Sequence, residues 1–305
     1  MIEETAMIDI NPRYHVKRKV ITLRKRKTDT KKIFIIHDGT GRLDSCFLLS
    51  ELIHNDFSIY GITLNDDIRF VPKKITIEDI AKKYIKEIKK IQPDGPYFLI
   101  GWCVGGNIAF QMASQLEIMG NQIGFCGLFD TLPPKYFSQI HSKDFSIESE
   151  TDFICSFITN KELKDKLVDC NDVVKFWTIV RDELTEENFD KELFIKMDKV
   201  GLCLNIPNIE NTLLYDMFYG INIMRTLHDA RVFHIPENKL QATVHLFKAK
   251  EMSIDAIDEW SKYSNKAIKY EVDGDHYSML GTHINSLSSK LNEVLQNILI
   301  DLNNN

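Results

Sequence analysis

The sequence feature that most constrains the fold is a glycine-rich turn, Gly101-Trp102-Cys103-Val104-Gly105-Gly106. The apolar run Tyr97–Ile100 before it predicts a buried strand, and apolar residues at helical spacing after it predict a helix that Gly120 ends. A strand that turns at once into a helix forces the central residue into a strained conformation and leaves no room for side chains beside it. The pattern therefore predicts that Cys103 projects from the carboxyl end of a strand.

Strand and helix patterns alternate along most of the chain. The predicted strands lie at Val20–Leu23, Ile33–Ile36, Ser58–Ile62, Tyr97–Ile100, Ile123–Phe129, Ala242–Ala249 and Ala267–Val272. Amphipathic stripes predict helices after Thr76, which is spaced with Asp79 for a capping box, at Ile254–Tyr263 and around Leu287–Ile298. Such alternation predicts an α/β fold with a mostly parallel sheet covered by helices on both faces.

The alternation stops after Pro133-Pro134, and the pattern is helical from there to about residue 230. Helical segments are predicted near 149–159, 171–183, 186–199 and 209–229. No linker divides the chain. We therefore predict one domain over 1–305, with a core at about 18–132 and 231–300, a helical insertion at about 133–230, and a leader or linker at 1–17.

Charge and composition restrict the class of function. A formal net charge of −6 argues against nucleic acid as a partner, and no apolar run reaches the length of a membrane span. The first residues lack the pattern of a secretory signal, so we expect a cytoplasmic protein. Six scattered cysteines without a Cys-x-x-Cys pair predict no disulfide framework and no metal site, with most cysteines packed as small apolar residues. We also expect no cofactor.

Cys103 requires a different explanation, because the turn holds it beside the positive end of a helix, where a thiolate is favoured. A cysteine nucleophile needs a base, and His276 follows the last predicted strand, where a loop brings it over the sheet edge. For the orienting acid, Asp130 ends a predicted strand, whereas Asp255 and Asp258 resemble the first turn of a helix, so we favour Asp130.

An acyl-transfer site also needs two backbone donors for the oxyanion. The Val104 amide follows the nucleophile and is one candidate. Gly39, in the turn after Ile33–Ile36, is the other, because a glycine allows the backbone to approach closely. The glycines of that turn are equally compatible with a purely structural role.

The motifs together resemble the type I thioesterase domains that end nonribosomal peptide synthetases and polyketide synthases. The resemblance covers most of residues 18–300 and rests on Ile33–Gly41, Gly95–Ala109, Leu128–Thr131 and Gly274–Leu280. It implies an α/β-hydrolase fold, Asp130 as the acid of a Cys103–Asp130–His276 triad, and an insertion that forms a lid. It also implies an acyl or peptidyl substrate delivered on the phosphopantetheine arm of a carrier protein.

The chain departs from this family in its nucleophile, because most members have serine where this chain has Cys103. A cysteine would give an acyl-thioester intermediate, which keeps more acylating power than an ester. We therefore expect release by cyclisation or aminolysis in preference to hydrolysis. The alternatives are a stand-alone editing thioesterase, a dienelactone-hydrolase-like enzyme, and a non-catalytic scaffold.

We also make predictions for two segments outside the triad. The basic stretch Lys17–Lys32 is either a solvated leader or a surface that steers an acidic carrier. Aromatic residues of the insertion, at helical spacing, are expected mainly to pack against one another, with some lining an acyl channel. They are Phe153, Phe157, Phe176, Trp177, Phe194, Tyr215, Phe218 and Tyr219.

Overall fold

A computed structural model describes residues 20–26, 31–64, 75–134, 147–197, 214–252 and 257–304. Its strands form one seven-stranded sheet with the order β1-β3-β2-β4-β5-β6-β7, in which the edge strand β1 runs antiparallel to β3 and the other pairs are parallel. The strands are β1 (Val20–Arg24), β2 (Lys31–Ile36), β3 (Phe57–Ile62), β4 (Tyr97–Trp102), β5 (Ile123–Phe129), β6 (Leu240–Ala249) and β7 (Ser264–Val272). The predicted parallel sheet is confirmed.

Helices cover both faces of the sheet and fill the region between β5 and β6. They are α1 (Phe47–Leu52), α2 (Ile77–Ile88), α3 (Val104–Ile118), α4 (Ile147–Cys155), α5 (Lys161–Val168), α6 (Val173–Glu183), α7 (Lys191–Met197), α8 (Leu214–Val232), α9 (Ile257–Trp260) and α10 (Ile284–Asn304). None of these helices combines the length and apolar character that a membrane span requires.

Two apolar cores lie on opposite faces of the sheet. The core on one face includes buried side chains of α2, α3 and the second half of α8, and the core on the other face includes those of α1 and α10. Strand β4 contributes Leu99 to the first core and Ile100 to the second, as expected for side chains that alternate along a strand. Burial on both faces explains why the central strands read as continuous apolar runs.

Most predicted elements are found within a few residues of their predicted bounds. Helix α2 begins after Thr76, whose side chain accepts a hydrogen bond from the Asp79 amide as predicted. Two details of the helices differ from the prediction. The helix predicted at Ile254–Tyr263 is described over Ile257–Trp260 and ends before Tyr263, and α5 lies between two of the segments that were placed in the helical insertion.

The helices inserted between β5 and β6 have an apolar cluster of their own. It contains five of the aromatics singled out in the sequence: Phe157, Phe176, Trp177, Phe194 and Phe218. Phe153 packs against the same cluster, so mutual packing is confirmed for these side chains. The side chains of Tyr215 and Tyr219 are outside the described residues.

Helix α8 belongs to both parts of the molecule. Its first half places Leu214, Phe218 and Ile221 in the cluster of the inserted helices, while Leu227 and Ala230 belong to the core on one face of the sheet. The boundary predicted near residue 230 therefore falls inside a continuous helix.

Candidate active site

The turn after β4 holds Cys103 in the conformation that the sequence predicts. Cys103 has a φ of 56° and directly precedes α3. A Cβ on Gly101 would lie 2.1 Å from the Gly105 carbonyl oxygen, and a Cβ on Gly105 would lie 2.3 Å from the His37 carbonyl oxygen. Because these neighbours are backbone atoms, the close packing of strand and helix requires both glycines.

Asp130 occupies the equivalent position on the next strand. The register pairs Trp102 with Phe129, so Cys103 and Asp130 follow neighbouring strands at the same edge of the sheet. Asp130 also has a positive φ, 45°, and is buried. One of its carboxylate oxygens accepts a hydrogen bond from the Ala249 amide at 3.1 Å, which fixes the direction of the other.

His276 lies between these two residues. Its Nδ1 is 2.7 Å from Asp130 Oδ2, and its ring makes a hydrogen bond with Cys103. The indole N–H of Trp102 donates to the His276 carbonyl oxygen at 3.1 Å, and the two rings pack with centroids 4.9 Å apart. The structure therefore brings together the three residues that the sequence singled out for a triad.

The electrostatics of the pair favour a charged thiolate and imidazolium. Burial raises the pKa of the Cys103 thiol, but the hydrogen bond with His276 and the positive charge of Arg231 outweigh it, so the pKa lies below the ordinary thiol value. Burial lowers the pKa of His276, but the hydrogen bonds with Asp130 and Cys103 raise it to about 9. At neutral pH the proton is therefore favoured on the imidazole.

Other cysteines of the described chain lack this environment. Burial raises the pKa of Cys46 to about 12, and it also raises the pKa values of the Cys126 and Cys155 thiols. Cys46, Cys126 and Cys170 are buried as predicted for packing residues, and Cys203 lies outside the described residues. Cys103 thus differs from Cys46, Cys126 and Cys155 in its charge environment, and also in the positive φ of its backbone.

The structure does not describe the side chains of the other two candidate acids. Asp255 lies outside the described residues, and Asp258 falls within the short helix α9. Asp130 is the acid that contacts the imidazole, which agrees with the preference drawn from the sequence.

Three other histidines have partners of their own. The buried His37 contacts the Tyr84 hydroxyl, His245 contacts the Tyr270 hydroxyl, and His234 contacts Gln111. Burial lowers the pKa of each of these three imidazoles.

The two predicted oxyanion residues both line the cavity onto which Cys103 opens. The Val104 amide makes a hydrogen bond with the Cys103 sulfur. Among the described residues, the atom nearest to a Cβ on Gly39 would be a Val104 side-chain carbon, at 4.0 Å. The oxyanion role of the two amides, and the close approach of a substrate to the Gly39 backbone, stay predictions.

The cavity has a volume of about 550 Å³. Its walls include Met224, Leu227, His228 and Arg231 of α8, together with Trp102 and Tyr277. None of the six described aromatics of the insertion lines it, and the side chains of Tyr215 and Tyr219 lie outside the described residues. The expectation that some of the eight line an acyl channel therefore stays a prediction. Within the described ranges, no group of three or more metal-ligating side chains is arranged to hold a metal ion.

Sequence reasoning missed one residue of this site. Arg231 is buried, and its Nη1 lies 3.7 Å from Cys103 Sγ. A basic residue in the last turn of a helix is common because it complements the helix dipole, so the sequence held no signal for this contact.

Comparison with known proteins identifies the family of this chain. The family model for the thioesterase domain matches residues 31–295. This chain belongs to the thioesterase domain family. Its relatives include the dimodular nonribosomal peptide synthase of Bacillus subtilis (strain 168), 35% identical over 106 residues, and aspulvinone E synthetase melA of Aspergillus terreus, 24% identical over 274 residues. These alignments cover 34% and 86% of this thioesterase-family chain, but only 4% and 28% of the two relatives.

Solved structures share its fold. The thioesterase domain of Vlm2, bound with a dodecadepsipeptide, matches with a TM-score of 0.59 and 20% identity, covering 90% of this chain and 98% of that one. The four-domain nonribosomal peptide synthetase AB3403 matches with a TM-score of 0.65 and 22% identity, covering 90% of this chain and 20% of that one. The α/β-hydrolase fold expected from the resemblance is confirmed.

Proposed function

We propose that this thioesterase releases an acyl or peptidyl chain from a carrier-protein thioester through a Cys103 acyl-thioester, in nonribosomal peptide or polyketide biosynthesis. The observation that carries the proposal is the position of His276, which hydrogen-bonds both Asp130 and a cysteine held at positive φ on a strand-to-helix turn. An inert packing cysteine needs neither a strained backbone nor an oriented imidazole.

The proposed reaction has two halves. The Cys103 thiolate attacks the thioester carbonyl, and the His276 imidazolium gives its proton to the departing pantetheine sulfur. A nucleophile then attacks the new thioester, His276 accepts its proton, and the bond from Cys103 Sγ to the acyl carbon breaks. Asp130 holds the imidazole in the orientation that both steps need.

The proposed oxyanion donors are the amides of Val104 and Gly39. In the turn after β2, the amides of Asp38, Thr40 and Gly41 donate hydrogen bonds within the turn. Gly39 is therefore the amide that this turn can offer to an oxyanion.

The intermediate offers a direct test. The native protein is incubated with a small acyl thioester, and its intact mass is measured beside Cys103→Ala and His276→Ala. We expect an acyl adduct on native protein, none on Cys103→Ala, and slow loading of His276→Ala. The half-buried Cys155 supplies a control, because Cys155→Ala should load like native protein. An adduct that persists in Cys103→Ala would contradict the proposed nucleophile.

For the second half of the reaction we propose cyclisation or aminolysis in preference to hydrolysis. Apolar side chains of Trp102, Met224, Leu227 and Leu280 line the cavity beside Cys103, and such walls favour a tethered amine or hydroxyl over water. Analysis of products from carrier-bound substrate checks this, and linear acid as the sole product would refute it. The inserted helices are the proposed lid, and no cofactor takes part in the proposed chemistry.

The proposed partner is a carrier-protein domain. Fewer side chains of the basic stretch Lys17–Lys32 are open to such a partner than the sequence suggested. Arg24 is buried and donates to the carbonyl oxygens of Glu51, Ile53, His54 and Phe57, so it holds β1 in place. Lys25 is exposed, while Lys17 and residues 27–30 lie outside the described residues. If this edge receives an acidic carrier, Lys25→Glu should slow loading from the carrier and leave loading from a small thioester unchanged.

A further inference from the structure

Arg231 places a buried positive charge against the sulfur of Cys103. Its Nη1 lies 3.7 Å from Cys103 Sγ, while His276 contacts the same sulfur. Arg231 lies in the last turn of α8, and this helix also packs Leu227 and Ala230 in the core on one face of the sheet. Two cationic groups from different elements thus meet one sulfur atom.

A buried guanidinium is costly unless an anion faces it. Burial lowers the pKa of Arg231, and the charge of Cys103 and the hydrogen bond to it raise the pKa. Titratable side chains of Asp38, Asp44, His228 and Tyr277 line the same cavity, and His234 follows Arg231 in the chain. The Asp38 carboxylate accepts hydrogen bonds from Thr40 and Ser45. The Cys103 sulfur is the group for which the described structure gives a direct contact with the guanidinium, and as a thiolate it would be an anion.

We propose that Arg231 is a catalytic residue that serves as the counter-ion of the Cys103 sulfur in both halves of the reaction. This proposal rests on the proposed function, because it takes Cys103 as the nucleophile. Before acylation the guanidinium stabilises the attacking thiolate. The charge on the sulfur disappears when its bond to the acyl carbon forms, and it returns when the second nucleophile attacks and that bond breaks. The guanidinium then stabilises the same thiolate as the leaving group.

The proposal connects Arg231 with the use of cysteine. A thiol ionises near neutral pH when a cation is close, whereas a serine hydroxyl stays neutral and becomes charged only as it reacts. A permanent counter-ion therefore acts on the resting state of a cysteine site and has no such anion to hold in a serine site. An arginine that bound the substrate would matter equally in both.

The ionisation of Cys103 can be measured without any substrate. Native protein, Arg231→Gln and Arg231→Lys are alkylated with iodoacetamide across pH 5 to 10, and modification of Cys103 is followed by peptide mass. We expect Arg231→Gln to slow alkylation about tenfold on the acidic side of the profile, where thiolate is the minor form in both proteins, which is the effect of raising the thiol pKa by about one unit. Arg231→Lys, which keeps the charge on a different group, should lie between the two.

Arg181→Gln is the matched control, because Arg181 is an exposed arginine that pairs with Asp182 on α6. It should alkylate like native protein. Thermal unfolding of each variant shows whether it is folded at the assay temperature. If Arg231→Gln is unfolded there, the comparison of Arg231→Lys with native protein decides the matter. An unchanged pH profile in the folded variant overturns the proposal.

A double-mutant cycle separates the two possible targets of the guanidinium. Acylation by a small thioester is measured for native protein, Arg231→Gln, Cys103→Ser and the double variant. We expect Arg231→Gln to reduce the acylation rate at least tenfold with cysteine and less than threefold with serine. Equal losses in both backgrounds would assign Arg231 to the substrate and overturn the proposal. Turnover by Cys103→Ala would instead refute the proposed function, while the alkylation result would stand.

Discussion

At the scale of single residues, the candidate site depends on a pair of groups in which each shifts the pKa of the other. The imidazole of His276 has its pKa raised to about 9, whereas the thiol of Cys103 has its pKa lowered. In the proposed reaction, the active form of the pair is a thiolate with an imidazolium. Acylation should therefore increase as pH rises through the low thiol pKa and decrease as pH rises through about 9, where His276 loses the proton that the leaving sulfur needs.

The first prediction concerns Asp130, whose hydrogen bond helps to raise the pKa of His276. Asp130→Asn removes the negative charge, so the basic limb of the pH profile should move from about 9 toward lower pH. The acylation rate should also fall, by about a hundredfold or more, because the imidazole loses its orientation. Single-turnover acylation across pH 5 to 10 measures both effects.

Asp273→Asn is a suitable control for this experiment. Asp273 lies at the start of the same loop, but its carboxylate pairs with Lys250. Its pH profile should match that of native protein. A basic limb that stays near 9 in Asp130→Asn would show that Asp130 does not raise the pKa of His276.

At the scale of elements, close backbone contacts fix how the first turn of α3 packs against the strand ends beside it. The second prediction concerns Gly105, where a Cβ would lie 2.3 Å from the His37 carbonyl oxygen. Gly105→Ala should therefore displace the first turn of α3 and destabilise the protein by about 3 kcal/mol. Denaturant unfolding measures the free energy.

Gly220→Ala provides the contrast, because a Cβ at Gly220 in the middle of α8 would meet nothing within 4 Å. It should stabilise the protein by about 0.5–1 kcal/mol, since alanine favours a helix more than glycine does. Equal effects of the two substitutions would show that helix propensity, and not the contact with β2, governs Gly105.

The third prediction concerns an ion pair that connects two of the inserted helices. Arg225 of α8 forms a buried ion pair with Glu150 of α4, and the Trp177 indole of α6 donates to the same carboxylate at 2.8 Å. Glu150→Gln keeps an acceptor oxygen but leaves the guanidinium without this counter-charge. We expect a loss of about 3–5 kcal/mol in unfolding free energy. Glu162→Gln, at an exposed pair with Lys166, should have no measurable effect in the same denaturant titration.

At the scale of the whole molecule, α8 joins the insertion to the sheet. It contributes side chains to the cluster of the inserted helices and to the core on one face of the sheet. It also carries Arg225, which pairs with Glu150, and Arg231, which contacts Cys103. Because of this connection, we expect that the inserted helices cannot unfold without disturbing the candidate site. This connection supports the proposal that the chain is one domain.

The fourth prediction follows from that connection. Chemical unfolding should show a single transition, with the same midpoint by far-ultraviolet circular dichroism and by exposure of Cys103 to alkylation. Cys170, which is buried in the cluster of the inserted helices, reports on the insertion in the same experiment. If Cys170 became reactive at a lower denaturant concentration than Cys103, the insertion would be a separate unit.

The local sequence determined much of this protein. Apolar runs buried on both faces predicted the strands, and the glycines around Cys103 predicted a turn at which neighbouring backbones touch. The order Cys103, Asp130, His276 at the ends of successive core elements predicted a triad, because the carboxyl ends of parallel strands meet at one edge of the sheet. Each of these features depends on residues close together in the chain or on a repeating pattern.

Only the tertiary structure decided the remainder. It showed that Arg24 supports β1 and is buried, that residues of α8 line the cavity whereas the six described aromatics of the insertion do not, and that Arg231 contacts Cys103. Arg24 and Arg231 look like ordinary surface cations in sequence, because propensity and periodicity describe a residue's own element. Which distant group faces a side chain depends on how elements pack, and Arg231 and Cys103 are 128 residues apart.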